Sequence, residues 1–465
     1  MEGSSLRKGD RMDLKNKKIV VVGAGKSGVS ATRLLSKEEA DITLYDSNDQ
    51  IDAAALRNNL GEDFKGNIVL GEFPKNMETE TDLLILSPGV PADLDYLNRM
   101  REAGIPIWGE VELAYRFSKG RLIAVTGTNG KTTTTALTGE IMKLHFEKVF
   151  VVGNIGYPYT DFAKQMTEES VTVAEMSSFQ LESIEEFHPC VSMILNITPD
   201  HLNRHHTMEA YVDAKLNIAR NQTPGEICIL NYEDERLRNV SEKLHTKIFW
   251  FSSSRLLRRG LSLVGDNIVY RDGVNEEVVI NVSEMNIIGK HNYENAMAAI
   301  AAGISMNVPM DTIREALRNF VAVEHRIEYT ATKNGVLYYN DSKGTNPDAS
   351  IQAVKAMTRP TFLIGGGYDK GSTYEEWIAT FPGKVKKLIL MGQTADKIEA
   401  CARSMGFTEI VRVSSMEEAV SYCYQNAVNG DAVLLSPCCA SWGMFKNYEE
   451  RGEIFKTLVR ALPDA

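Results

Sequence analysis

The run Thr126-Gly127-Thr128-Asn129-Gly130-Lys131-Thr132-Thr133, entered from the apolar residues Ile123, Ala124 and Val125, has the order of residue types that holds phosphate. Gly127 and Gly130 carry no Cβ, so the backbone can turn sharply and aim its N–H groups at phosphate oxygens. Lys131 can reach terminal phosphates and the Thr132 hydroxyl can ligate Mg²⁺, with Thr128, Asn129 and Thr133 completing the cradle. A helix from Thr132 to about Lys143 would add the positive end of its dipole at the same point. The common form of this motif has another glycine five positions before Gly130; Val125 stands there, so a shortened loop is expected.

Downstream, three apolar runs end in polar residues. Val149–Val152 leads into Gly153-Asn154-Ile155-Gly156, Val171–Ala174 into Glu175, and Val191–Leu195 into Asn196-Ile197-Thr198-Pro199-Asp200-His201. A parallel sheet assembles its site at the carboxyl ends of its strands, so these groups should meet the phosphate loop. Glu175 is the natural carboxylate for Mg²⁺, a hard cation that prefers oxygen. His201 and His205 lie one helical turn apart, but Leu202 stands where the zinc-protease motif needs Glu. His201 is therefore assigned to the Mg²⁺ and phosphate site, and His205 and His206 are read as ordinary surface residues. Tyr211–Ala219 patterns as an amphipathic helix, on which Lys215 would ordinarily extend to solvent. Asn292 and Asn295 open an alanine-rich helix; they suit either a nucleotide base or helix capping.

Two further α/β patterns flank this segment. Lys18–Val22 leads into Gly23-Ala24-Gly25-Lys26-Ser27-Gly28 and a helix through Leu35; the next strand, Asp41–Tyr45, ends at Asp46. Glycines at this spacing with an acid about 20 residues on suit a pyrophosphate and a ribose, and do not distinguish NAD from a nucleotide sugar. Another strand, Asp82–Leu86, closes in Ser87-Pro88-Gly89. After a boundary near Val323, strands Val336–Tyr339, Thr361–Ile364, Lys387–Met391 and Ala432–Leu435 follow. Lys343, Thr345, Lys370 and Ser441 fall at strand ends, a cationic cup suited to a small dicarboxylate. From about Phe251 to Met285, short β-like runs alternate with glycine turns and read as peripheral sheet without chemistry.

At 465 residues the chain is long for one core, and three domains are expected. Fifty-one basic against 62 acidic residues give a net charge of −11, which disfavours a nucleic-acid partner. No apolar run approaches the roughly 20 residues of a membrane span, and the N-terminus has no apolar signal core, so no membrane partner and a cytoplasmic location are expected. Six scattered cysteines, Cys438 and Cys439 adjacent among them, show no C-x-x-C pair and read as reduced, mostly buried thiols.

With these residues together, the sequence resembles the Mur ligase family over nearly the whole chain after residue 12, and within it the branch that adds D-glutamate. Gly127–Thr132, Glu175 and Asp200-His201 are the family marks. Asn340–Asn346, Gly366–Gly371 and Leu435–Ser441 with Phe445–Tyr448 mark the branch. The resemblance implies an α/β chain of three domains: a Rossmann-like one, a phosphate-loop ATPase type with a mostly parallel sheet, and a second Rossmann-like one. Residues 1–12 would form a mobile extension. Residues 13–109 would hold UDP-N-acetylmuramoyl-L-alanine through Gly25, Lys26, Ser27, Asp46, Ser87 and Gly89, helped by Asn154 and Gln180. Residues 110–323 would hold ATP and Mg²⁺ through the phosphate loop, Asn292 and Asn295, with Arg326 and Asp341 as further ATP contacts. Residues 324–465 would bind D-glutamate through Lys343, Thr345, Lys370, Ser441 and Tyr448 and close over the other two. The implied metal set is Thr132, Glu175, His201 and Lys215, the last as a carbamate formed with CO₂; Lys131, His201 and Lys215 would be catalytic. A monomer is expected. Trp442 departs from the pattern, standing where an aliphatic residue is common.

The implied reaction agrees with elementary chemistry. A carboxylate does not acylate an amine at neutral pH, because its oxygen is a poor leaving group. ATP would convert it to an acyl phosphate, the amine of D-glutamate would attack, and phosphate would leave; closure would keep water from the anhydride. Another ADP-forming amide ligase of the same family is the nearest alternative. A nicotinamide-dependent oxidoreductase would leave the phosphate loop unexplained, and a non-enzymatic nucleotide switch has no use for the lysines after residue 340.

Overall fold

The computed structural model describes residues 14–154, 156–321 and 324–463, so the extension expected over residues 1–12 and the boundary at Val323 lie outside the described residues. The chain divides into two compact units, Met1–Asn281 with Glu294–Leu317, and Val282–Tyr293 with Arg318–Ala465. The expected α/β class holds, built on three sheets.

The first unit contains two sheets. One has five parallel strands in the spatial order Asn67–Leu70, Asp41–Asp46, Lys18–Val22, Leu83–Leu86, Ile107–Gly109. The order reverses between Lys18–Val22 and Leu83–Leu86, so Gly23–Gly28 and Ser87–Gly89 emerge at the switch point where such sheets open a crevice. These strands form because Ile19, Val21, Leu44 and Ile85 are buried against the helix Lys26–Leu35, an apolar contact that neither element could satisfy alone.

The other sheet has nine strands: Val149–Gly153, Val171–Glu175, Arg121–Thr126, Val191–Ile194, Ile227–Asn231, Lys247–Ser252, Gly260–Val264, Asn267–Arg271 and Glu276–Asn281. The first seven run parallel, and the last two turn back as an antiparallel meander. That meander is the peripheral segment expected after Phe251. The phosphate-loop strand thus lies between the strands that end at Glu175 and Ile194, as the parallel pattern required.

In the second unit Glu328–Lys333 pairs antiparallel with Val336–Asn340, and Ala432–Leu435, Thr361–Gly365, Val385–Leu390 and Ile410–Arg412 continue the sheet in parallel. Helix starts follow their side chains: Asn346 accepts from the Ala349 N–H ahead of Pro347, and Asn447 does the same for Glu450. Trp377 and Phe381 fill the core on one face, and Phe455 and Val459 on the other. No helix among the described residues is long and apolar enough to cross a membrane.

Candidate active site

The strand Arg121–Thr126 delivers the phosphate loop, and the following helix begins at Lys131, one residue earlier than expected, and runs to Lys143. Gly130 makes the turn at φ +85°. A Cβ there would stand 2.2 Å from Asn295 Oδ1, so both the conformation and the close approach demand glycine. The loop is clamped from the neighbouring strand end. Asn196 Oδ1 accepts from the Asn129 N–H at 2.8 Å and Asn196 Nδ2 donates to the Asn129 carbonyl at 3.0 Å. The Thr128 hydroxyl lies 3.1 Å from the Tyr211 hydroxyl and accepts from the Thr198 N–H at 3.0 Å. Asn196 opens the strand-end run expected to meet this loop, but nothing in the sequence assigns it the clamping role.

Lys131 Nζ donates to the carbonyls of Gly127 and Thr128 at 2.9 and 2.8 Å, and Lys215 Nζ donates to the Gly127 carbonyl at 2.8 Å. Two lysine side chains therefore converge on one loop carbonyl. Lys215, on the helix Met208–Leu216, is only 2 % exposed; periodicity alone would leave it in solvent, whereas the role implied by the family resemblance calls for a buried amine. The helix packs its last turn inward because Tyr211 and Ala214 are buried on the same side. Burial first, and then repulsion from Lys131, pushes the Lys215 amine well below its ordinary value, against weaker support from Asp200 and Glu175.

Glu175 ends the strand registered beside the loop strand, opposite Val125, and is buried. Its Oε1 accepts from Asn154 Nδ2 at 2.9 Å, while its Oε2 has no hydrogen-bond partner among the described residues. A buried, half-satisfied carboxylate beside a phosphate loop fits a cation site. His201 stands at the next strand end in a left-handed conformation, φ +53°, half exposed, with Nε2 3.4 Å from Asp200 and its ring edge-on to Phe179. His205 is not a surface residue, contrary to the reading of the sequence. It is buried, 2.9 Å from Ser178 Oγ and 3.1 Å from Glu182, and burial depresses its basicity. Its turn folds inward because His205 stacks on Phe179. His206 is exposed as expected.

At the first sheet, Asp46 holds the glycine loop. Its Oδ2 accepts from the Ala24 N–H at 2.7 Å and its Oδ1 from the Asn48 N–H at 2.9 Å. Ser87 Oγ donates to the Gly23 carbonyl, and a Cβ on Gly28 would stand 1.7 Å from that oxygen, so the third glycine permits helix-on-strand packing. Gly89 follows on the exposed turn. Beside Gly25 and Lys26 opens a cavity of ≈ 510 Å³, walled on one side by Lys26, Ser30 and Arg33 and on the other by Gly156, Tyr157 and Asp161. Ser27 follows in the same first turn of the helix. Gln180 is engaged in a capping box with Ser177, its Oε1 accepting from the Ser177 N–H at 2.9 Å.

Within the second unit, Asp341 and Arg326 come together. Asp341 is buried, accepts from Ser436 Oγ at 2.7 Å and from the Ile327 N–H at 3.2 Å, and is pushed up to about 7 by burial, against the pull of Arg326. Arg326 Nε is buried with no partner among the described residues. Asn292 is buried and donates to the Ile288 carbonyl at 2.8 Å. The strands ending at Asn340, Leu435 and Gly365 are neighbours, so the loops bearing Lys343 and Thr345, Ser441, and Lys370 leave one sheet edge. Lys343 Nζ lies 5.5 Å from the Tyr448 ring centre and Lys370 Nζ 4.9 Å from that of Trp442. Ser441 is buried and Lys370 exposed. The sequence reading missed Arg451. It is buried and donates to Ser342 Oγ, the Ser342 carbonyl and the Cys439 carbonyl at 2.9, 2.7 and 3.2 Å, joining two of those loops.

The description "Mur ligase MurD-like, N-terminal domain" fits residues 17–109, "Mur ligase middle domain" residues 125–303, and "Mur ligase, glutamate ligase domain" residues 325–439. The UDP-N-acetylmuramoylalanine–D-glutamate ligase of Lachnoclostridium phytofermentans is 60% identical, over 97% of this chain and all of that protein. The chain belongs to the Mur ligase family. The ligase of the same name from Lachnospira eligens is 54% identical, and that from Clostridioides difficile 45%, each over 97% of this chain and all of the relative. Among solved Mur ligase structures, MurC of Thermotoga maritima matches with a TM-score of 0.59 at 19% identity, covering 96% of this chain and 99% of that one. MurF of the same organism, solved with ADP, matches with the same score and coverage at 17% identity. At these identities the structures speak for the fold. Mur ligases are ATP-dependent and use Mg²⁺.

Proposed function

We propose that this Mur ligase joins D-glutamate to UDP-N-acetylmuramoyl-L-alanine with conversion of ATP to ADP and phosphate, a step of peptidoglycan-precursor synthesis. The observation that carries the reading is the pairing of a phosphate loop in the first unit with Lys343, Lys370 and Ser441 at one sheet edge of the second, in a chain 60% identical along its length to a ligase of that name. We divide the chain at residues 109 and 323 into UDP-substrate, ATP and amino-acid domains.

The 510 Å³ cavity at Gly25 and Lys26 suits the UDP group, and we assign Ser27, Asp46, Ser87, Gly89, Asn154 and Gln180 as its further contacts. The loop N–H groups from Thr128 to Thr133 and Lys131 bind the ATP phosphates. Lys131 must first release the Gly127 and Thr128 carbonyls, which ATP oxygens replace as partners. The substrate carboxylate then attacks the γ-phosphorus, its oxygen forming the new P–O bond as ADP departs, while Lys131 and the loop N–H groups offset the charge. The D-glutamate amine attacks the acyl carbon, loses a proton, and phosphate leaves. Lys343, Thr345, Lys370, Ser441 and Tyr448 orient the two carboxylates of D-glutamate, and Asn292, Asn295, Arg326 and Asp341 the nucleotide.

Mg²⁺, when bound, neutralises charge on the phosphates; Thr132, Glu175, His201 and a carbamylated Lys215 would hold it. The neutral Lys215 amine favoured by burial can add CO₂: its lone pair forms the N–C bond, a C=O pair moves to oxygen, and one N–H proton leaves. The side chain thereby changes from a neutral amine beside Lys131 to an anionic oxygen donor. We infer a cytoplasmic monomer. Phosphate release measured with each substrate omitted in turn tests the reading: it should require both UDP-N-acetylmuramoyl-L-alanine and D-glutamate, and release with L-glutamate or a neutral amino acid at equal rate would refute it.

A further inference from the structure

Gly109 and Glu110 leave the first sheet and begin the helix Glu110–Phe117 that leads to the phosphate-loop strand. Glu110 is buried, and its Oε2 has no hydrogen-bond partner among the described residues. Its Oε1 lies 2.9 Å from the Thr160 N–H nitrogen and 2.7 Å from Thr160 Oγ1. Thr160 Oγ1 lies 2.6 Å from Ser30 Oγ, and Ser30 Oγ lies 2.5 Å from Asp161 Oδ1. These are three oxygen–oxygen hydrogen bonds in a row, and each needs a proton. The two hydroxyls supply only two, because a hydroxyl carries one proton and ionised carboxylates carry none. The contrast with Glu112, two residues along the same helix, is direct: its oxygens accept from the N–H groups of Glu185, Glu186 and Phe187 and from Arg116, all donors.

We propose that Glu110 carries the third proton and is a positioning residue: as a carboxylic acid it donates to Thr160 Oγ1, which donates to Ser30, which donates to Asp161. Asp161 is exposed and can be an ionised acceptor, whereas the carboxyl with a buried, unpartnered oxygen is the one whose charge water cannot stabilise. The electrostatics agree in direction. Burial raises Glu110 above the usual carboxylate range against its contacts with Thr160 and Tyr159, and Asp161 raises it further. Of the charged and titratable groups on the elements packed against this helix, namely Lys26, Arg33, Tyr159, Asp161 and Lys164, no cation neutralises it. The chain has a consequence for substrate. Ser30 belongs to the helix that carries Lys26, and Thr160 and Asp161 follow Gly156 and Tyr157, so the hydrogen bonds tie together the two walls of the 510 Å³ cavity.

The kinetic consequence rests on the placement of the UDP group in that cavity; the spectroscopic one does not. In infrared difference spectra of the full chain at neutral pH, the Glu110→Gln variant should lose a protonated-carboxyl C=O band that Asp161→Asn keeps. Absence of the band from the parent protein, or its loss in Asp161→Asn alone, would overturn the proposal. Thr160→Val, which keeps the side-chain shape and breaks two links, should raise KM for UDP-N-acetylmuramoyl-L-alanine about tenfold and leave KM for ATP within about twofold. Equal increases for all substrates, or none, would remove the positioning role. The parent enzyme's KM for the UDP substrate should rise at alkaline pH as Glu110 ionises, and that rise should be missing from Glu110→Gln.

Discussion

Asp341 makes the second unit's stability depend on pH in a direction that can be worked out. The carboxyl is 3 % exposed and pushed from 3.8 to about 7, because burial disfavours the carboxylate more than Arg326, Ser436, the Ile327 N–H and Arg451 favour it. A raised value in the folded state means that the folded chain holds a proton that the unfolded chain releases between those limits. The protonated contribution is complete below about pH 4 and is lost as pH rises through 7. With 1.36 kcal/mol per unit of difference, its full size is about 4 kcal/mol, of which roughly 2.5 kcal/mol disappears between pH 5 and pH 8. Asp341→Asn removes the titration. Guanidinium unfolding followed by Trp377, which is buried in the second unit's core, should show that the parent loses about 2.5 kcal/mol more than the variant over that pH interval. Equal pH dependence in both, or a parent that gains stability relative to the variant with rising pH, would refute the reasoning.

Asn196→Ala deletes both hydrogen bonds to Asn129 and should weaken ATP by about 2 kcal/mol, roughly 30-fold in KM, with the UDP-substrate KM unchanged in the same steady-state assay. Lys215→Ala should be nearly inactive, and an added short carboxylic acid should restore part of the rate; mass spectrometry of the intact parent under bicarbonate should find the added CO₂. Lys370→Ala should act mainly on the D-glutamate KM, since Lys370 is exposed beside Trp442 and supports no core, and its thermal unfolding should match the parent's.

What could be read beforehand follows from where the chemistry lies along the chain. Strands such as Leu83–Leu86, and residues 19–22 of the first strand, are contiguous apolar runs buried on both faces, and the phosphate loop, Glu175 and the Lys343 and Lys370 loops all follow largely apolar runs. Local order therefore located them. The residues that were missed or misjudged owe their roles to partners distant in sequence. Asn196 acts on a loop 67 positions earlier, and Arg451 reaches Ser342 across 109 positions. Lys215 donates to a loop carbonyl 88 positions away, and no helical periodicity announces that. His205 has the look of a surface histidine in the sequence because its partners, Ser178 and Glu182, lie in and just after a short helix more than 20 positions earlier. Glu110 has the same character: its proton is visible only once Ser30, Thr160 and Asp161 are assembled.

Activation of the carboxylate of UDP-N-acetylmuramoyl-L-alanine by ATP must move one of its oxygens to phosphate. UDP-N-acetylmuramoyl-L-alanine labelled with ¹⁸O in its terminal carboxylate, turned over with ATP and D-glutamate, should pass one labelled oxygen to each phosphate released. Phosphate free of label, or label arriving from the carboxylates of D-glutamate instead, would rule out acyl-phosphate formation on the UDP substrate.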